Sequence, residues 1–150
     1  MKKILVLAFL AAAAAVVAVT STAASGAGTT LDLRGVVTGF HVALDATPTG
    51  QSAGDIGYET GNLSAHGKRI GRFQGVCTQL PHGSSQCSFT LGLPNGQILI
   101  EAAYGPGFNT GSLAREAIVG GTGKYAGARG QGLDRELSNT KLAFHLDLAR

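Results

Sequence analysis

The sequence holds no tryptophan, one methionine, four prolines and two cysteines in 150 residues, and charged side chains make up only 14% of it. No ten-residue stretch carries a sustained helical period, which excludes the alternating strand–helix units of a nucleotide-binding α/β sheet. There is no G-x-S-x-G elbow, no H-E-x-x-H helix and no pair of carboxylates at helical spacing. Two cysteines without a histidine at finger-like spacing do not make a metal site, so no metal and no cofactor are expected. Positive charge clusters only in "HGKRIGR", His66 to Arg72. That run is a solvated turn rather than the broad basic stripe of a nucleic-acid surface, and no nucleic-acid partner is expected.

What the sequence does have begins with a targeting segment. Lys2 and Lys3 precede an apolar run from Ile4 to Val19, followed by the small residues of "TSTAASGAG". This is the layout of a secretory signal peptide over residues 1–23, with cleavage after Ala23; Ala24 and Ala27 offer alternative sites. The expected mature chain, residues 24–150, is a single secreted domain with no membrane association after cleavage. Losing the two lysines lowers the formal net charge from +3 to +1.

All 23 glycines lie after residue 25, and between them runs a period of two. "CSFTLGL" sets Cys87, Phe89, Leu91 and Leu93 against Ser88, Thr90 and Gly92. "QILIEAAY" sets Ile98, Ile100, Ala102 and Tyr104 against Leu99, Glu101 and Ala103, and "LAFHLDLA" sets Leu142, Phe144, Leu146 and Leu148 against Ala143, His145 and Asp147. Such alternation reads as strands with one face buried. His41 and His145 fall on the outer side. "LPNGQ" supplies a hairpin turn, with positive φ expected at Gly96. In Thr29–Asp45 the apolar face switches between Gly35 and Gly39, which a bulge explains. About seven or eight short strands joined by glycine-rich turns point to an all-β fold, a sandwich or small antiparallel barrel.

Cys77 and Cys87 are symmetric about His82, so a hairpin turning at "PHGSS" sets them opposite each other, within the span of a disulfide. The inward face, with Phe73, Phe89, Leu91, Ile98, Ile100, Phe144 and Leu146, reads as almost wholly apolar, and Tyr104 is its one polar handle.

"AIVGGTGKYAGARGQG", Ala117 to Gly132, has the glycine–lysine pair of a phosphate loop. Ile118, however, stands where that loop needs its first glycine, Tyr125 where it needs a hydroxyl for Mg²⁺, and no helix follows. The glycines are read instead as a backbone device at a tight turn between strands.

The segments "GDIGYETGNL", "GRFQGVC", "FTLGLPNGQILIEAAYG", "AIVGGTGKYAGARGQ" and "LAFHLDL" resemble, in order and spacing, the allene oxide cyclase-like barrel proteins, which are related to the plant dirigent proteins. The resemblance implies a closed, calycin-type antiparallel barrel of about eight strands around an apolar cavity. In the cyclase branch it implies closure of a fatty-acid epoxide, with Cys77 and Tyr104 at substrate-contacting positions. In the dirigent branch it implies steering of phenoxy-radical coupling, with Asp32, Asp45 and Asp55 as candidates for the acidic pocket residues. The cyclase asparagine falls on Gly61 here, and the first strand has no counterpart to the cyclase glutamate. Trimers are common in these families, so a homo-oligomer is compatible with the resemblance.

The function expected is therefore a secreted barrel that binds a small apolar or aromatic ligand through Tyr104, Phe73, Phe89, Ile98, Ile100 and Phe144 and steers its cyclisation or coupling. As an enzyme it would be a cofactor-free isomerase or cyclase. The alternative is a non-catalytic extracellular structural or binding module whose barrel is filled by its own side chains.

Overall fold

The computed structural model describes residues 28–149; the expected signal peptide lies outside the described residues. Eight strands follow one another around a closed antiparallel barrel: β1 (Thr29–Leu44), β2 (Ile56–Ala65), β3 (Lys68–Gln79), β4 (Ser85–Leu93), β5 (Gly96–Tyr104), β6 (Leu113–Gly123), β7 (Arg129–Ser138) and β8 (Lys141–Ala149). Each strand pairs with its neighbours in sequence, and β8 closes the wall by pairing with β1 from Thr29↔Leu148 to Val36↔Lys141. Closure leaves no sheet edge to pair with another chain. Among the described residues the only helical element is a single 3-10 turn, Pro81–Gly83, and no helix is long and apolar enough to cross a membrane.

The turns follow from their residues. His66 and Gly67 link β2 to β3 with φ of 49° and 75°, the paired left-handed values of a type I′ hairpin. Between β4 and β5 Gly96 has the expected positive φ, 158°, and Asn95 before it is left-handed as well, at φ 71°. The expected bulge in β1 lies between Val37 and Gly39. It lets the strand continue past the rim, where Phe40 and Val42 are exposed.

The "GGTGKYAGARG" run forms the β6–β7 hairpin, closed by bonds from Tyr125 N–H to the Thr122 carbonyl and from Ala128 N–H to the Tyr125 carbonyl. It carries no helix, as the backbone reading requires. A Cβ at Gly121 would run into the Tyr125 carbonyl of the turn and lie 2.7 Å from the Gln97 carbonyl oxygen of β5, so glycine is needed there because both pass too close for a side chain.

The two ends of the barrel differ. At the end formed by the turns 66–67, 94–95 and 124–128, the interior is packed solid: Leu33, Leu63, Phe73, Leu91, Leu93, Ile98, Ile118, Ala128, Leu146 and Leu148 are all buried in one cluster. Phe73 and Phe144 meet edge to face at 6.1 Å. Glycines on the inner wall give these rings room. A Cβ at Gly75 would lie 2.5 Å from the Phe89 ring, and one at Gly61 would overlap the Phe73 ring. Alternating large and absent side chains is how a narrow barrel fits aromatic residues inside.

At the other end, Cys77 and Cys87 are directly paired across β3 and β4 and form a disulfide with Cα atoms 4.1 Å apart. On a chain-entropy account, closing so short a loop contributes about 3 kcal/mol.

Candidate active site in the barrel lumen

The cavity opens at the end formed by the loops 45–55, 80–84, 105–112 and 139–140. It measures about 460 Å³ and is lined from those loops by Gln51, Gly83, Phe108 and Asn139. The longest of them is held in shape by Asp55, whose carboxylate accepts bonds from Ala46 N–H at 2.7 Å and Ser52 N–H at 2.8 Å.

Phe89 and Tyr104 line the cavity with the disulfide, as the alternation of β4 and β5 places them. Phe73, Ile98, Ile100 and Phe144 also point inward, but they sit in the packed half of the barrel, each no more than 2% exposed, and form the base beneath the cavity rather than its wall. His41 stacks on Tyr58 on the outer face at 5.0 Å. His145 is likewise outside, where its Nδ1–H donates to Asp32 at 2.7 Å; that bond raises the imidazole pKa.

The expectation of an almost wholly apolar interior is corrected by the structure. Glu59 of β2, Asp134 and Glu136 of β7 line the cavity beside Tyr104, and Glu116 of β6 is buried just below. Tyr104 is therefore one of several polar groups there. The candidates Asp32, Asp45 and Asp55 lie elsewhere: Asp32 is on the outer face, Asp45 accepts from Gly50 N–H at 3.1 Å in a loop, and Asp55 braces that same loop.

The physical reason lies in β7, where the usual pattern is inverted. Gly132, Asp134 and Glu136 face in, while Leu137 and Arg135 are exposed. An apolar-in reading of "GLDREL" puts the leucines inside and the acids outside. In β6 the buried set Ala114, Glu116 and Ile118 alternates with exposed Leu113, Arg115, Ala117 and Val119. That alternation was the available signal for Glu116, because Ile118 and Ala114 flank it on one face.

Tyr104 Oη–H donates to Asp134 Oδ2 at 2.9 Å, with both groups buried. The tyrosine ring is itself packed edge to face against Phe108 at 4.5 Å. Asp134 Oδ1 and both oxygens of Glu116 are buried with no hydrogen-bond partner. Glu116 pairs across the sheet with Gly132, and a Cβ at Gly132 would lie 2.9 Å from Glu116 Oε2. The missing side chain is thus the space that the carboxyl occupies.

Removing a carboxylate from water without compensating donors disfavours its charged form. Burial, reinforced by the charge of Asp134, pushes Glu116 up to about 8. Burial, with Asp134 and Glu136 adding, pushes Glu59 up to about 7. Asp134 rises less, to about 6, because the Tyr104 hydrogen bond favours its ionised form against burial. Burial and the surrounding acids also raise the Tyr104 phenol, which keeps its proton and acts as a donor. The site thus holds three carboxyls that bind protons more tightly than free carboxylates, Glu116 most and Asp134 least. Carboxyls with pKa values brought near neutrality and set apart from one another are the arrangement that proton transfer requires.

A closed antiparallel barrel with one end filled and the other open onto a polar cluster defines the class of small lumen-bearing barrels. Within that class, the chain belongs to the allene oxide cyclase barrel like domain family, which it matches over residues 36–145. Among solved structures it is similar to a pyocyanin demethylase, at 25% identity and a TM-score of 0.70, over 81% of this chain and 100% of that one. It is also similar in fold to two pterocarpan synthase dirigent proteins. One has 19% identity and a TM-score of 0.61, over 81% of this chain and 92% of that one. The other has 18% identity and a TM-score of 0.59, over 81% and 82%. Sequence comparison with curated proteins finds no match.

Proposed function

We propose that this barrel binds a small apolar or aromatic molecule in its lumen and isomerises or cyclises it by moving a proton. The observation that carries the reading is the Tyr104–Asp134 hydrogen bond at a cavity whose size is in the usual range for a small-molecule site. Asp134 Oδ1 takes a proton from the bound molecule, Tyr104 holds Oδ2 in place, and the proton returns to a different atom of the same molecule. Atoms and charge balance without any co-reactant, and confinement between Phe89, Tyr104 and Phe108 selects the product geometry. The similar structures, a pyocyanin demethylase and pterocarpan synthase dirigent proteins, are named for reactions and so support a lumen that acts on a bound molecule. The alternative of a self-filled, non-catalytic module fits the packed half of the barrel but not the open half. The signal-like segment and the disulfide support secretion.

The test is to screen the protein against polycyclic aromatics, fatty-acid oxides and monolignol radicals, following ligand retention, isomerisation and product stereochemistry. The expected outcome is a retained ligand and a turnover reduced by about 10²–10⁴-fold in Asp134→Asn, the usual contribution of a positioned acid–base group. No retained ligand, or products racemic and unaffected by Asp134→Asn, overturns it.

A further inference from the structure

The outer wall of the barrel gathers positive charge along one line. In sequence "HGKRIGR" reads as a solvated turn, but only His66 and Gly67 turn; Lys68, Arg69 and Arg72 lie on β3. A register shift at Leu63/Ser64 takes up Ile70 as a bulge, which puts Arg69 and Arg72 on the same exposed face despite their odd spacing. Across the sheet Arg69 stands opposite Ser64, Ser64 opposite Arg34, Arg34 opposite Ala143 and Ala143 opposite Arg135. The consecutive strands β3, β2, β1, β8 and β7 thus alternate arginine with a small side chain along one ladder row. The next row towards the mouth, Arg72, Asn62, Val36 and Lys141, adds a cation at each end. Arg34, Arg69 and Arg135 are exposed, and among the described residues the only ion pairs are those of His145 with Asp32 and Asp147.

The small residues leave grooves between the arginines. One, of about 720 Å³, runs from Arg34 to Arg135 over Ala143, Leu133 and Leu137. The other, of about 420 Å³, is lined by Arg69, Arg72, Thr38, Thr60, Asn62 and Gln74. The one carboxylate lining either groove, Asp32, is taken by His145 at 2.7 Å. Neighbouring strands lie about 4.8 Å apart, so the Cα atoms of successive arginines are about 9.6 Å apart, and the outward curve of the wall spreads their side chains further. This spacing discriminates among polyanions. A nucleic-acid strand carries a phosphate about every 3.4 Å, far denser than the row. Its bases would also find no ring to stack on, because Phe73 and Phe144 at the floors of the grooves are buried. Between the cations the second groove offers hydroxyl and amide groups, the partners of sugar hydroxyls. We propose that this row is a docking surface for an acidic polysaccharide, a uronate chain whose carboxylates meet Arg69, Arg34 and Arg135 and whose hydroxyls meet Thr38, Thr60, Asn62 and Gln74. The planar guanidinium matches a carboxylate with two parallel hydrogen bonds. The surface uses no group of the lumen, so it stands independently of the ligand-binding reading.

The test is fluorescence anisotropy of three labelled chains titrated with the protein: an oligogalacturonate, a neutral dextran and an oligothymidylate. The expected result is the oligogalacturonate bound at least about tenfold more tightly than either of the others. Arg34→Gln, Arg69→Gln and Arg135→Gln should each weaken it about two- to fivefold, the worth of one exposed ion pair. Combined, the three should weaken it by at least about tenfold. Arg129→Gln, on β7 but at the base of the barrel, should leave the affinity unchanged. Circular dichroism confirms the barrel in each variant, and because the arginines are exposed and on separate strands, the single variants decide if the combined one fails to fold. Dextran binding as tightly shows that charge is not read, and the oligothymidylate binding as tightly shows that the spacing is not read; either overturns the inference. So does an affinity unchanged in every variant of the row, or one that Arg129→Gln lowers as much as they do, which marks diffuse charge rather than a site. Failure of the oligogalacturonate to bind overturns it outright and leaves the ligand-binding reading standing.

Discussion

Asp134 and Glu116 are both carboxylic acids on neighbouring strands, yet their surroundings set them two apart in protonation behaviour, at about 6 and about 8. Aspartate ordinarily titrates a little below glutamate, and two features of the site widen the gap: Tyr104 donates to Asp134, while Glu116 has no donor at all and faces the charge of Asp134. Tyr104→Phe removes that donor, so the apparent pKa of Asp134 should rise. If Asp134 is the base, the pH–rate profile of Tyr104→Phe shifts its acidic limb upward; an unmoved limb removes Tyr104 from the mechanism. Glu116→Gln keeps the shape and removes the acid. Because Glu116 binds its proton more tightly folded than unfolded, its contribution to stability is complete below the ordinary carboxylate range and is lost as pH rises through about 8. The variant should therefore lose less stability than the native protein between pH 5 and pH 9. Urea unfolding of both proteins at pH 5 and pH 9 checks this, and equal losses on going to pH 9 would contradict it.

At the scale of the strands, β4, β5 and β8 were legible because their apolar residues occupy one face without interruption, so Phe89, Tyr104 and Phe144 could be placed inside from spacing alone. The cystine was legible for a related reason: the turn at His82 makes the register Cys77↔Cys87 unavoidable. β7 was not legible, since its leucines flank the acids and the outward face looks like the core face. A strand that turns carboxyls inward against its own hydrophobic pattern breaks a local rule, and such conflicts concentrate at functional sites. Glycine was also ambiguous. Gly132 reads as turn chemistry in sequence, but it is a mid-strand position whose missing side chain leaves room for the Leu146 side chain and the Glu116 carboxyl. Gly132→Val should push Glu116 off its site, against Leu146, and lower stability by about 1–3 kcal/mol through overpacking. A thermal melt at pH 5, where Glu116 is protonated in both proteins, separates this steric cost from electrostatics. An unchanged melting temperature would show that the seat is not needed.

The whole molecule divides its barrel into a packed base and an open, acidic mouth, and the two halves have different work. The base, with Phe73 and Phe144 in edge-to-face contact, stabilises the fold. Phe144→Ala should cost about 3–5 kcal/mol by cavity formation. The mouth gathers buried acids at the expense of stability, because Glu59, Glu116 and Asp134 all hold raised pKa values. The folded barrel consequently binds more protons than the unfolded chain between the ordinary carboxylate range and about 8, and its stability should fall as pH rises across that window. The most direct measurement is a ¹³C NMR titration of the aspartate and glutamate side-chain carboxyl carbons in the native protein, assigned with Glu59→Gln, Glu116→Gln and Asp134→Asn. An acidic, water-poor lumen predicts three carboxyls titrating as a coupled set between about 6 and about 8. All three titrating at or below the ordinary carboxylate range, near 4, would contradict the account.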